Sequence, residues 1–304
     1  MFTTIFVTSA FFLSHIADGP QVRIAFGNQN ATLEARAKER GFVLGGHPVK
    51  EISTCERCDL EDKELEFLVK FPELELLDLH DNPKLTDTAL KVVGKLKTLK
   101  TLVLSGNKKI GDSGMVFLRD LKQLGALDIR GTTVTEKGLK ELTVHTRLNR
   151  LDLRNSRVSK LNDLRAFRNL EVLELDGLKL DEKEIQQVFA LAGLKYLILP
   201  DTTRDESLKG ICELANLEVL FLEGSGVTDI GLEYLRELTK LRTLRVGGSK
   251  ISGEGFSALV KLPNLTWLGV EELSLSETAC KHIGQLKNLQ VLRLTESGVG
   301  DKEV

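Results

Sequence analysis

A pattern of the form LxxLxL constrains this chain most, because it begins at Leu74 and recurs every 22 to 25 residues. The first leucines of the pattern are Leu74, Leu99, Leu124, Leu148, Leu170, Leu194, Leu217, Leu241, Leu265 and Leu289. Repeats of this length combine a strand-like segment with a helix-like tail, and one repeat alone cannot bury its apolar face. The sequence therefore predicts a solenoid in which each repeat packs against its neighbours.

The repeat at residues 217–240 shows the physical basis of this prediction. Its first six residues alternate inward leucines with the outward Val219 and Phe221, which is the two-residue period of a strand. Three further leucines recur at three-residue spacing and predict the inner stripe of a short helix. Between these segments, Thr228 and Asp229 are candidates for capping the helix, since their oxygens can accept unpaired N–H groups.

A diverged repeat lies one period before Leu74, because seven residues align with core positions of the following repeat. These residues are Val49, Ile52, Thr54, Leu60, Leu65, Leu68 and Phe71. The predicted organisation is an N-terminal apolar segment and cap at residues 1–48, followed by a repeat domain at 49–304. This domain would hold about eleven repeats, of which the last is incomplete.

The repeats resemble the leucine-rich repeat family over about residues 49 to 304. The shared pattern is LxxLxLxgsxVTDxGLxxLxxLxx, most visible in KLTDTAL, KIGDSGM, TVTEKGL, GVTDIGL and KISGEGF. It is similar to the class that includes F-box-type and many bacterial leucine-rich repeat proteins. The resemblance implies an α/β solenoid, a horseshoe with a concave parallel β-sheet and short convex helices.

The family often places Asn or Cys directly after the strand, and here that slot is mostly filled by small polar residues. They are Asn82, Asn107, Thr132, Ser156, Thr202, Ser225, Ser249 and Ser297, with Leu178 and Leu273 interrupting the series. The resemblance implies that these side chains bond the backbone of the neighbouring turn.

Composition argues against nucleic acid as a partner. The formal net charge is −2, and lysines and arginines are balanced by acidic residues through almost every repeat. Phosphate binding would require a basic stripe. Neither a Ser/His/Asp arrangement, a phosphate-cradling glycine loop nor a pair of catalytic carboxylates is evident, so we expect no enzyme activity and no cofactor.

Both ends of the chain depart from the repeat. Residues 1–17 form an apolar run of signal-peptide length without a basic start, so an exported protein and an uncleaved segment covering the first repeat are both open interpretations. The localisation is correspondingly open. At the other end, only Lys302, Glu303 and Val304 follow the start of the eleventh helix. We expect this edge to continue in a longer chain or to contact a partner.

Cys55 and Cys58 form a CxxC motif, and the repeat register places His80 nearby. Two thiolates and an imidazole could contribute to a zinc site. The alternatives are a redox or disulfide pair and plain structural cysteines. With no second CxxC in the chain, we expect structural cysteines and no metal.

The residues on either side of each middle leucine line up between repeats and are the predicted partner-binding surface. In the middle of the chain Asp128, Asp152 and Glu174 form an acidic column, with arginines beside it. Toward the C-terminus the columns become apolar and aromatic. The full predicted set is Asp128, Arg130, Asp152, Arg154, Glu174, Tyr196, Ile198, Val219, Phe221, Arg245, Trp267 and Arg293.

These features predict a non-catalytic module that binds a protein partner on its concave face, since aromatic and arginine side chains often carry interface energy. Two narrower roles are alternatives. One is the substrate-recognition part of a ubiquitin-ligase-type adaptor, and the other is the ligand-binding part of an exported surface or sensor protein. The sequence does not identify the partner.

Overall fold

The structure, a computed structural model, describes residues 23–26, 49–54 and 59–295. Twelve strands of these residues form one parallel sheet, in which each strand pairs with its neighbours in chain order. The strands are β1 (Arg23–Phe26), β2 (Glu51–Thr54), β3 (Leu76–Asp78), β4 (Thr101–Val103), β5 (Ala126–Asp128), β6 (Arg150–Asp152), β7 (Val172–Glu174), β8 (Tyr196–Ile198), β9 (Val219–Phe221), β10 (Thr243–Arg245), β11 (Trp267–Gly269) and β12 (Val291–Arg293).

The register of the sheet reproduces the period of the sequence. Leu220, Leu244 and Leu268, the middle leucines of three successive strands, are direct partners across the ladder. All three are fully buried in the main core between the sheet and the helices. This register confirms the predicted α/β leucine-rich repeat solenoid, with a concave parallel sheet and short helices on the convex side.

The segments between strands form short helices of two kinds. The α-helices of the described residues are α1 (Ala89–Val93), α2 (Asp112–Met115), α3 (Glu136–Glu141), α4 (Glu182–Gln187), α5 (Asp229–Glu233), α6 (Phe256–Leu259) and α7 (Glu277–Ile283). The 3₁₀ helices are Asp62–Lys70, Val116–Leu118, Leu142–Val144, Leu164–Ala166, Val188–Ala190, Asp205–Leu208 and Ile211–Glu213. In this part of the chain, none of the helices has both the length and the apolar composition needed to cross a membrane.

The diverged repeat before Leu74 is part of the same core. Its aligned residues, from Val49 to Phe71, are buried, and Ile52 pairs directly with Leu77. The sheet also includes β1, which precedes residue 49 and pairs in parallel with β2. The division of the chain at residue 48 remains a prediction. The signal-like residues 1–17 and the C-terminal residues 302–304 lie outside the described residues.

A ladder of aspartates joins consecutive repeats where the helices begin. Thr228 caps its own helix, because its hydroxyl accepts the N–H two residues further on, as predicted. Asp229 does not cap this helix. Its carboxylate instead accepts hydrogen bonds from the next repeat, namely from the hydroxyl of Ser252 at 2.5 Å and from the N–H groups of Gly253 and Gly255 at 3.0 and 2.8 Å.

The same bonds between other repeats explain the glycine of the VTDxGL motif. The pairs are Asp62–Thr86, Asp112–Thr135 and Asp205–Thr228. A Cβ added to Gly231 would lie 2.5 Å from a carboxylate oxygen of Asp205, and one added to Gly138 would lie 2.6 Å from that of Asp112. The glycine therefore leaves room for the aspartate of the preceding repeat.

Side chains in the polar slot after the strands make two kinds of hydrogen bond. The Asn107 side chain reaches the neighbouring repeat, since its Nδ2 donates to the carbonyl of Leu79 and its Oδ1 accepts the N–H of Asn82, each at 2.9 Å. Thr132 instead donates to the carbonyl of Ile129 in its own turn at 2.6 Å. The predicted bond to the neighbouring turn is wrong for Thr132, because its shorter side chain closes its own turn.

The repeat after β8 shifts this slot by one residue. The buried Thr203, rather than the predicted Thr202, donates to the carbonyl of Pro200 at 2.7 Å and closes the turn as Thr132 does. Ser297, the last residue predicted for the slot, lies outside the described residues.

Candidate functional site

The concave surface is formed by two columns of side chains that flank the middle leucines of the strands. In β10, for example, Thr243 and Arg245 flank Leu244. Parallel strands lie about 4.8 Å apart, so equivalent residues of neighbouring repeats stack along the sheet. The predicted site residues lie on these two columns or directly after the strands.

Three carboxylates meet in the middle of the concave surface, and we refer to Asp128, Asp152 and Glu174 as the acidic triad. Asp128 is the register partner of Asp152, which is the register partner of Glu174. Their exposures are 1%, 0% and 2%, respectively. The column was predicted from the sequence, but its burial was not, and buried like charges at this spacing require compensation.

Arg154 supplies most of this compensation. Its Nη2 lies 2.6 Å from Asp152 Oδ2 and 2.9 Å from Glu174 Oε2, and its Nε donates to Asp152 Oδ1 at 3.0 Å. The backbone N–H of Arg130 donates to Asp128 Oδ1 at 2.9 Å. One guanidinium thus contacts two of the three carboxylates, and the third accepts a backbone N–H.

The triad holds protons close to neutral pH. Burial, followed by the charge of Asp152, raises the pKa of Asp128 to about 7. The same two causes, in the same order, raise the pKa of Glu174 to about 8. Burial opposes the charge of Arg154, yet its bond to Asp152 and the surrounding carboxylates raise its pKa above the ordinary value. Arg154 therefore stays charged while the triad is partly protonated.

An apolar cluster follows the triad on β7, β8 and β9, separate from the main core. Val172, Tyr196, Ile198 and Phe221 are buried, and Val219 packs against them half-exposed. The rings of Tyr196 and Phe221 meet edge to face with centroids 5.5 Å apart. All of these residues except Val172 belong to the partner-binding surface predicted from the sequence. On an inward-curving sheet, neighbouring side chains cover one another, so most of this cluster has little accessible surface.

A small cavity of about 150 Å³ lies above this cluster at the carboxyl ends of the strands. Ile198 and Phe221 contribute to its apolar lining, and the side chains of Arg154 and Arg245 approach it from neighbouring repeats. Asp176 and Glu223 add carboxylates to the lining. The cavity therefore presents both charges over an apolar base.

The C-terminal strands carry an aromatic–arginine ladder, which we define as Phe221, Arg245, Trp267 and Arg293. The guanidinium carbon of Arg245 lies 5.2 Å from the ring centroid of Phe221 and 5.8 Å from that of Trp267. Arg293 lies 5.8 Å from the Trp267 ring. These distances are within the range of cation–π attraction, so cations and rings alternate along four strands.

Sequence reasoning missed three residues that shape this ladder, namely Glu223, Gly269 and Glu271. Arg245 Nη2 lies 2.5 Å from Glu223 Oε1 and 3.7 Å from Glu271 Oε1. A Cβ added to Gly269 would lie 2.8 Å from the Trp267 ring, so the glycine gives the indole its space. For Gly269 the sequence does hold a signal: it is a single glycine in a column of larger side chains, two residues after the only tryptophan.

The twelve predicted site residues divide by accessibility. Those buried are Asp128, Asp152, Glu174, Tyr196, Ile198 and Phe221. Those partly exposed are Arg130, Arg154, Val219, Arg245 and Trp267, and Arg293 is exposed. The structure brings them together on one surface, while their role in binding a partner stays a prediction.

The predicted alternatives for the CxxC motif concern residues 55–58, which the structure does not describe. His80, the third candidate, lies beside β3 with its Nδ1 2.7 Å from Asp78 Oδ1. Within residues 49–54 and 59–295, no group of three His, Cys, Asp or Glu side chains is placed to hold a metal ion.

Solved structures with a similar fold include two internalins from Listeria monocytogenes. Internalin C2 is 22% identical, with a TM-score of 0.53 over 71% of this chain and 86% of its own. The internalin inlF is 16% identical, with a TM-score of 0.55 over 80% of each chain. TLR13, solved in complex with ssRNA13, is 22% identical, with a TM-score of 0.59 over 80% of this chain and 35% of its own. At these identities the likeness concerns the fold alone.

Sequence comparison leads to the family directly. None of the curated proteins matches the chain. A family model described as a leucine-rich repeat region matches residues 147–304, and a second, described as a leucine-rich repeat, matches residues 95–118. These matches agree with the register of the sheet and with the buried leucines of the repeats before β12, and the chain belongs to the leucine-rich repeat family.

Proposed function

We propose that this protein is a non-catalytic interaction module that binds a protein partner on its concave surface, chiefly through β9 to β12. The observation that carries the proposal is the aromatic–arginine ladder. Tryptophan and arginine dominate the energetics of many protein interfaces because they combine large contact area with directional polar groups. Both residue types are accessible here, since Trp267 and Arg245 are partly exposed and Arg293 is exposed.

The shape and rigidity of the surface support a macromolecular partner. Ten strand-to-strand steps from β2 to β12 give a sheet about 48 Å long, which is enough for a protein surface or an extended segment. The buried cluster beneath the ladder holds Phe221 in place, so binding costs little side-chain ordering there.

The charge arrangement favours protein over nucleic acid. Arg154 is paired with Asp152 and Glu174, and Arg245 is paired with Glu223. Guanidinium groups neutralised in this way do not form the uncompensated stripe that a phosphate backbone requires. The adaptor and exported-protein alternatives concern where such a module operates, and no contact among the described residues favours either.

The test is an interaction measurement with matched variants. Partners captured by the full chain would be purified and titrated against wild type, Trp267→Ala and Ile230→Ala by calorimetry. Ile230 is a suitable control because it is an apolar residue on the helix side with 64% exposure. We expect Trp267→Ala to bind about tenfold more weakly or worse, and Ile230→Ala to bind as wild type. Equal binding of Trp267→Ala, or capture of RNA alone, would overturn the proposal.

A further inference from the structure

We propose that the outer end of the aromatic–arginine ladder, formed by Trp267 and Arg293, binds a carboxylate side chain of an acidic segment on the partner. This inference rests on the proposed function and specifies the chemistry of the partner at one point of the surface.

The Arg293 guanidinium lies beside the Trp267 ring at cation–π distance. Its carbon lies 5.8 Å from the Trp267 ring, whose contacts on the other neighbouring strand include Arg245 at 5.8 Å. A guanidinium that lies against an aromatic ring keeps its planar edge of N–H donors available. This edge matches the two oxygens of a carboxylate, which can accept two parallel hydrogen bonds.

The strand leaves space for the Trp267 indole at Gly269. Gly269 lies between Arg245 and Arg293 in the sheet register, so that column has no side chain at this point. The Trp267 ring occupies this space, and even a methyl group at Gly269 would approach it to 2.8 Å. The ring therefore lies between the two arginines, at 5.8 Å from each guanidinium carbon.

The charge balance leaves Arg293 as the cation available to a ligand. Arg245 has carboxylate oxygens of Glu223 at 2.5 Å and Glu271 at 3.7 Å. Over the part of the chain that the structure describes, no carboxylate lies within salt-bridge distance of Arg293, and its side chain is exposed. Among the described residues, Arg293 is thus an uncompensated guanidinium beside a half-exposed aromatic ring.

A single uncompensated guanidinium favours a carboxylate over a phosphate. A carboxylate carries one negative charge, whereas a phosphoryl group on a side chain carries about 1.5 to 2 and commonly pairs with several cations. Glu271, whose Oε2 would lie 2.7 Å from a Cβ at Gly269, the register partner of Arg293, would add repulsion to a doubly charged group. Glutamate or aspartate side chains of a partner segment are therefore the ligand that fits.

The single tryptophan of the chain makes this testable in the full-length protein. Tetraglutamate, acetylated and amidated at its ends, would be titrated while the Trp267 indole N–H resonance is followed by NMR. Tetraglutamine with the same ends is the neutral control peptide. Tetraglutamine with a free C-terminus and inorganic phosphate test the other sources of negative charge. The protein variants are Arg293→Gln and, as an exposed arginine outside the sheet, Arg236→Gln.

We expect a saturable shift with tetraglutamate in wild type and Arg236→Gln, and about tenfold weaker binding in Arg293→Gln, since a hydrogen bond to a charged group contributes about this factor. No saturable shift, an equal shift in Arg293→Gln, or a response confined to phosphate or to the free C-terminus would overturn the inference. The outcome is distinct from that of the proposed function: a concave-face partner that binds Arg293→Gln as tightly as wild type would refute this inference alone.

Discussion

Replacing Asp128 by asparagine tests the charge balance of the acidic triad. Asparagine has the same shape and keeps an oxygen that can accept the Arg130 N–H, which now lies 2.9 Å from the carboxylate. It removes one of three buried carboxyl groups, while Arg154 still contacts the other two. We expect the variant to gain stability relative to wild type as the pH rises, because wild type must then ionise a buried carboxylate.

The magnitude follows from the pKa of Asp128. Folding raises this pKa from 3.8 to about 7, so between these values the folded state binds more protons than the unfolded state. A raised carboxylate pKa therefore lowers the free energy of unfolding as pH rises, until the pH passes the folded value. Between pH 6 and pH 8 the loss from this one group is about 1.4 kcal/mol.

The assay is urea unfolding followed by circular dichroism at pH 6 and pH 8. We expect the stability difference, Asp128→Asn minus wild type, to rise by about 1.4 kcal/mol between the two pH values. The buried His145, whose pKa burial lowers to about 4, makes both proteins more stable as pH rises from 6, and this contribution cancels in the difference. Asp120→Asn, at an exposed carboxylate, should show no pH-dependent difference. A constant difference for Asp128→Asn would refute the reasoning.

Three further predictions concern the hydrogen bonds of the polar slot and between repeats, and the aromatic–arginine ladder. Each is measured by urea unfolding or by fluorescence. Asn107→Ala should lower the free energy of unfolding by about 3 kcal/mol, because it leaves several buried backbone groups unpaired. Ser225→Ala should lower it by less than about 1 kcal/mol, since the Ser225 hydroxyl accepts only a 3.4 Å bond. Similar losses for the two variants would contradict the different roles of these two residues in the polar slot. Asp229→Ala should lower the free energy of unfolding by about 2 kcal/mol and Asp229→Asn by less, because asparagine keeps an acceptor for the next repeat. Equal losses would argue that the aspartate bonds between repeats are not the cause. Gly269→Ala should shift the Trp267 emission to longer wavelength by displacing the indole into solvent, and an unchanged spectrum would contradict the packing.

The sequence was sufficient to predict the repeat architecture because the signal is redundant. An inward leucine such as Leu220 recurs at the same position of every repeat from Leu74 onward, so a local ambiguity is corrected by its neighbours. The alternation of Leu220 with Val219 and Phe221 likewise placed the latter two on the concave side. Even the diverged repeat at Val49 was found by its spacing, although it lacks the leucines of the LxxLxL segment.

Burial on the concave surface was beyond sequence reasoning, because it depends on how side chains of different repeats cover one another. Phe221 and Asp152 face the same side as Trp267, yet only Trp267 is accessible. The aspartate bonds between repeats were also missed. Asp229 looked like a helix cap because capping is a local pattern, whereas its partners lie 23 to 26 residues away.

The most direct test of the central claim is to locate the partner on the protein by photo-crosslinking. A benzophenone amino acid would replace Thr243, which lies half-exposed on the concave surface beside Arg245, or Ile230, which is exposed on the helix side. The account predicts that the partner crosslinks at Thr243 and that Trp267→Ala abolishes this product, with none formed at Ile230. A partner that crosslinks at Ile230 and not at Thr243 would contradict it.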